Sequence, residues 1–111
     1  MQTKVQRAAL TFAAMAVLGM PIAAHADNKH VSEAVEHAKE AVEHGKQGHA
    51  DALVKHAEGA LKHAQAAGVK NPHLDEGIKH LQEAVEHGKA GHADVATKHA
   101  EGAVTHLSEV K

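Results

Sequence analysis

The chain of 111 residues has no cysteine, tryptophan or tyrosine and only one phenylalanine. Without cysteine it forms no disulfide, although an exported protein could have used them. With the methionines confined to the first 20 residues as well, the rest of the chain has no soft ligand set, which argues against Cu(I) handling and iron–sulfur clusters. Phe12, the three methionines (Met1, Met15 and Met20) and the single arginine, Arg7, all fall within the first 20 residues. That stretch reads as a secretory signal peptide. Lys4 and Arg7 make a basic start, Ala8 to Met20 is an apolar run, Pro21 breaks it, and Ala24-His25-Ala26 supplies a cleavage site. Cleavage after Ala26 leaves Asp27 to Lys111, an exported chain with no Phe, Tyr, Trp, Met, Cys or Arg. No later segment approaches the ~20 apolar residues of a membrane helix, so no span is expected after cleavage. The remaining 14 carboxylates stand against 10 lysines, a net charge of −4 with histidine neutral. Negative charge without arginine or aromatics argues against nucleic-acid binding.

What the chain does contain is histidine. Twelve of its 13 histidines lie beyond residue 26, and the first six occupy positions 30, 37, 44, 49, 56 and 63. The series is a mirror about the turn Gly45-Lys46-Gln47-Gly48, because 30+63, 37+56 and 44+49 all give 93. Residues 30–67 and 73–110 then match without gaps at 21 of 38 positions, including all six histidines. The heptads EAVEHAK (33–39) and EAVEHGK (40–46 and 83–89) are the shorter unit of the repeat.

Helical stripes follow from the spacing of apolar residues. Val31, Val35, Ala38 and Val42 mark the first arm; Ala50, Leu53, Ala57, Ala60, Ala64 and Ala67 mark the second, with Val54 and Leu61 beside them. Leu74, Ile78, Leu81 and Val85 carry the third arm, and Val95, Val104, Leu107 and Val110 the fourth. Gly45 and Gly88 are placed to end arms one and three as C′ residues, and Gly68 to end arm two. Asn71-Pro72 reads as an N-cap followed by proline at N1, and Asp27 and Asn28 are available to cap the first helix. The predicted helices are 28–44, 49–67, 72–87 and 92–110. Short links favour an all-α, antiparallel up-down-up-down four-helix bundle of two duplicated hairpins, 28–67 and 72–110. A monomer is expected.

In this register the histidines sit on helix flanks, with both columns of a hairpin displaced in the same sense from their apolar faces. Helices folded back at the glycine turns would bring them together as rungs: His30/His63, His37/His56, His44/His49, His73/His106, His80/His99 and His87/His92. Heptad spacing separates histidines of one column by ~10.5 Å along the axis, against a metal–nitrogen bond of ~2.0–2.1 Å. Each rung is therefore expected to be its own site. Glu33, Glu40, Glu76 and Glu83 stand four residues before His37, His44, His80 and His87, and are possible carboxylate ligands. Two imidazoles, a carboxylate and water suit Cu(II), Zn or Ni far better than Ca or Mg.

The histidine-bearing heptads, the leader peptide and the missing Cys, Met and aromatics together resemble the periplasmic small metal-binding protein family. The resemblance implies a histidine-rich four-helix bundle in the periplasm that scavenges or buffers divalent metals, copper prominently. It carries the twelve histidines over as metal ligands. An enzyme is not expected. No histidine follows a glutamate by three residues as in carboxylate-bridged di-iron bundles, and there is neither an HExxH zinc motif nor a C-x-x-C-H haem attachment. Two rival readings are a pH-responsive structural protein, since protonating twelve imidazoles takes the charge from −4 to +8, and a module that docks a partner protein or haem through paired histidines.

Overall fold

The computed structural model describes residues 29–110, so the signal peptide read over 1–26 and the caps Asp27 and Asn28 lie outside the described residues. All regular structure among them is helical: α1 Lys29–Lys46, α2 Ala50–Ala66, α3 Pro72–Lys89 and α4 Ala93–Ser108. Helix α1 packs on α2 and α4, and α3 packs on α2 and α4, which closes a four-helix bundle around one core.

The turns differ from expectation in one respect. Gly45 and Gly88 do not end their helices. Both are helical and buried, and α1 and α3 run on to Lys46 and Lys89. The left-handed residues among those described are Gly48 (φ 81°) and Gly91 (φ 85°), beyond the ends of α1 and α3, and Gly68 (φ 67°), which follows α2 as expected. Around Gly48, the His49 amide donates to the His44 carbonyl at 2.9 Å and the Gly48 amide to the Gly45 carbonyl at 2.9 Å. This pair of bonds is a Schellman closure with its positive-φ glycine at C′. The second hairpin repeats it, with His92 donating to His87 at 2.9 Å and Gly91 to Gly88 at 3.0 Å. Asn71 caps α3 as expected, its side chain accepting from the His73 amide at 2.8 Å, with Pro72 opening the helix.

The core stripe is also rotated from the expected one. In α1 the buried residues are Val31, Ala34, Ala38, Ala41 and Gly45, while Val35 and Val42 are only half-buried. In α3, Leu74, Gly77, Leu81, Ala84 and Gly88 are buried, and Ile78 and Val85 flank them. In α4 the stripe is Ala96, Thr97, Ala100, Ala103 and Leu107; Val104 is half-buried and Val95 is 39 % exposed. Only α2, with Leu53, Ala57, Ala60 and Ala64, keeps its expected centre. The reason is size. Alanine and glycine hold most of the buried positions, Leu53, Leu81 and Leu107 fill the remaining core space, and the other branched side chains lie in the grooves beside them.

Glycine takes this furthest. A methyl group at Gly45 would overlap the Thr97 hydroxyl and stand 2.7 Å from Leu53 Cδ1; at Gly88 it would stand 2.5 Å from Val54 Cγ2. Thr97 is buried but satisfied, its hydroxyl donating to the Ala93 carbonyl at 2.6 Å. Alanine at Gly45 or Gly88 would gain about 1 kcal/mol of helix propensity but overpack the contact, which typically costs about 1–3 kcal/mol. We predict that Gly45→Ala lowers the urea unfolding midpoint; an unchanged or raised midpoint would show that the helices can part there freely.

Candidate metal centre

The heptad spacing places one histidine per two turns on the flank of each helix, beside the alanine stripe. The two exposed ends and four half-buried middle rings of each hairpin follow from that position. All six expected rungs meet. Ring centroids lie 5.7 Å apart for His30/His63, 5.9 Å for His37/His56 and 6.4 Å for His44/His49. In the second hairpin the values are 5.6 Å for His73/His106, 5.6 Å for His80/His99 and 6.2 Å for His87/His92. The last rung of each hairpin is set by the backbone itself, since the Schellman bond joins the main chains of His44 and His49, and of His87 and His92.

Three rungs bring two Nδ1 atoms within reach of one ion. The separations are 3.4 Å for His30/His63, 3.4 Å for His73/His106 and 3.3 Å for His80/His99. Two nitrogens bound to one ion at ~2.0–2.1 Å stand roughly 3–4 Å apart. Elsewhere, the Nδ1 atoms of His37 and His44 are buried and have no hydrogen-bond partner. Unpaired buried ring nitrogens cost stability, and a metal ion is one group that would satisfy them.

Carboxylates join the rungs, but in a different pairing from the expected one. Glu33 Oε1 lies 3.1 Å from His63 Nδ1, Glu40 Oε1 lies 3.0 Å from His56 Nδ1, and Glu83 Oε1 lies 3.2 Å from His99 Nε2. Each of these glutamates thus joins the rung of the histidine three residues before it, not four after. Glu76 alone groups with the histidine four residues on, His80, together with His106. Three sets have one ligand atom per residue mutually within 4.8 Å: His30, Glu33 and His63; His37, Glu40 and His56; and Glu76, His80 and His106. His44/His49 and His87/His92 gain no such carboxylate among the described residues.

Side-chain direction explains the shift. Helical side chains lean toward the N-terminus of their own helix. The rungs number upward on one helix (30, 37, 44) and downward on the other (63, 56, 49), so facing histidines lean past each other. His37 therefore stacks on His63 (5.3 Å, 13°) and His44 on His56 (5.0 Å, 8°). In the second hairpin His80 stacks on His106 (5.3 Å, 15°) and His87 on His99 (5.3 Å, 5°). Glu33, one turn beyond His30, meets the His63 ring that has leaned toward it. The rungs are not isolated, as axial spacing alone implied.

Two glycines make room for this stacking and were not singled out as part of the site. A Cβ at Gly59 would sit 3.3 Å from His37 Nδ1, and one at Gly102 would sit 3.1 Å from His80 Cε1 and Nδ1. Both lie inside helices, where glycine costs about 1 kcal/mol against alanine, and both occupy the same place in the repeat. That coincidence was the available signal.

These features define a class: a histidine-rich four-helix bundle whose clustered imidazoles and carboxylates can hold metal ions. The family model for small metal-binding proteins matches residues 2–110, and the chain belongs to that family, which is a family of binding proteins rather than enzymes. Comparison with curated proteins gives no match. Among the described residues, no helix is long and apolar enough to cross a membrane.

His56 has a shifted proton affinity. Burial lowers its pKa from 6.5; the Glu40 carboxylate opposes this, and neighbouring His44 and His37 add to the lowering. The folded chain then holds His56 neutral where the unfolded chain is protonated, so unfolding takes up a proton just below pH 6.5. Stability from this group is complete above 6.5 and lost as the pH falls through the folded value. Urea midpoints measured from about pH 7.5 down to about pH 5 should fall on the acid side, and the fall should be shallower in His56→Gln. A slope identical in the variant would assign the effect elsewhere.

Proposed function

We propose that this protein binds, buffers or scavenges divalent transition metals in the periplasm, with Cu(II) first and Zn and Ni also taken. Residues 1–26 serve as an export signal cut after Ala26, and residues 27–111 form one monomeric metal-binding domain of two hairpins, 28–67 and 72–110. The helices run up-down-up-down, each antiparallel to the next. The reversed pairing of His30 with His63 and His44 with His49 supports this topology.

The ligands are the twelve histidines of the six rungs. Glu33 and Glu40 complete rungs 30/63 and 37/56, Glu76 serves His80 and His106, and Glu83 serves the far nitrogen of His99, Nε2, while Nδ1 faces His80. The observation that carries the reading is the set of Nδ1 pairs 3.3–3.4 Å apart, with a carboxylate oxygen 3.0–3.2 Å from a ring nitrogen in three rungs. Nitrogen-rich sets with carboxylate support favour Cu(II), Ni and Zn, and Cu(II) leads in intrinsic affinity. The sites are half-buried to exposed and lack a closed shell of protein ligands. Such open sites suit capture and release better than a fixed structural role.

Calorimetric titration of the apo protein with Cu(II) at neutral pH should give several equivalents per chain. Replacing both histidines of one rung by alanine, for example His73→Ala with His106→Ala, should remove about one ion per rung. Stoichiometry unchanged across all six double variants would remove the histidines from the site, and no uptake at all would leave a pH-responsive or docking role.

A further inference from the structure

Resting on that metal-binding reading, we propose that each hairpin seam is a continuous track along which a bound ion moves by stepwise exchange of imidazoles. The six rings of the first hairpin form an unbroken file in the order 30, 63, 37, 56, 44, 49. Successive centroids are 5.7, 5.3, 5.9, 5.0 and 6.4 Å apart. The second hairpin repeats the file with steps of 5.6, 5.3, 5.6, 5.3 and 6.2 Å. The diagonal steps are shorter than the rungs they join. No step in either file marks the boundary of an isolated site.

The interior rings have a neighbour on each side. An ion held by His30 and His63 can take His37 before it releases His30, so it is never reduced to a single ligand. A neutral imidazole offers one lone pair, its other nitrogen being a donor, so each ring serves one ion at a time. Two rings per ion then allow three ions on six rings, and a full file has no free ring to step to. Movement belongs to the partly loaded protein.

The carboxylates bridge the same steps. Glu76 groups with His80 and His106, which belong to different rungs, and so supplies a ligand set on the diagonal itself. Glu33 reaches His63, the ring shared by the first rung and the first diagonal. Exposure is graded to match: His30 and His49, the two ends of the first file, and His73 and His92, the ends of the second, are exposed, while the four rings between them are half-buried. Ions enter and leave at the ends and are partly screened from water in between. Gly59 and Gly102 keep the middle of each file open by letting His37 and His80 lie against the opposite helix.

The test compares two rates on the full exported chain at one Zn(II) equivalent, using the diamagnetic ion so that every histidine ring can be followed by NMR. Exchange of zinc among the rings of one file is read from line shapes and exchange spectra. Release is read separately from the rate of transfer to an excess of chelator. The track requires ring-to-ring exchange at least tenfold faster than release. In the double variant His37→Ala with His56→Ala, exchange between the remaining ends should slow to the release rate. Equal rates in the wild-type protein would overturn the proposal even though zinc binds, and this comparison decides alone should the variant fail to fold. Absence of any zinc-induced shift would instead overturn the metal-binding reading, and the track with it.

Discussion

Alanine and glycine occupy the lines where the four helices touch, and their size sets how near the flanking imidazoles come. Ala34, Ala38 and Ala41 of α1 and Ala57, Ala60 and Ala64 of α2 are wholly buried, with Val35, Val42, Val54 and Leu61 at the sides. A histidine on the flank of a helix is normally a solvated side chain. Here the helices are near enough that two such flanks meet across the seam, at 3.3–3.4 Å between nitrogens in three rungs. Larger core residues would hold the columns apart, and the close imidazole pairs would be lost without any histidine being changed. The absence of Phe, Tyr and Trp from the described residues fits this close approach, because so bulky a ring in the core would widen the bundle.

The two halves of the chain solve the packing problem jointly. Position for position, Ala38 in the first hairpin corresponds to Leu81 in the second, Leu53 to Ala96, and Ala64 to Leu107. Leu53, Leu81 and Leu107 are the largest fully buried side chains. Each of these three leucines has an alanine counterpart in the other repeat, and Gly77 in turn lies against Leu107. A close-packed interior fixes total volume more strictly than the residue at any one site. The core positions could therefore diverge between hairpins, provided that they did so in complementary directions. The histidines had no such freedom. Their pairing across the seam depends on the imidazole itself, and all six columns are the same in both halves.

Hairpin contacts across the bundle echo this two-fold arrangement. Lys46 pairs with Glu101 at 3.9 Å and Lys89 with Glu58 at 3.6 Å, residues that exchange roles between the repeats. These are exposed pairs, worth little in stability. Their interest is geometric, since both report the same placement of one hairpin against the other. Each hairpin carries its own file of rings, and nothing in the chemistry of one file requires the other.

Much of this was legible in the residues alone. The period of seven, the mirror about the glycine turn and the 43-residue repeat determine helices, their number, and which histidines share a height. Those are consequences of spacing, and the 1.5 Å rise of a helix converts spacing to height without further information. The Asn71-Pro72 start was equally plain, because cap chemistry is local. What spacing could not supply was the rotation of each helix about its axis and the lean of each side chain. The valines of α1 gave the obvious stripe, yet closest packing placed alanine at the centre and put Gly45 inside the helix rather than at its end. The stacking of His37 on His63, and the attachment of Glu33 and Glu40 to the preceding histidine's rung, follow from side chains leaning in opposite directions on facing helices. Sequence settled which imidazoles lie level with one another. Only the packed bundle decided that the levels merge into one file, because that depends on distances between helices, which no single helix encodes.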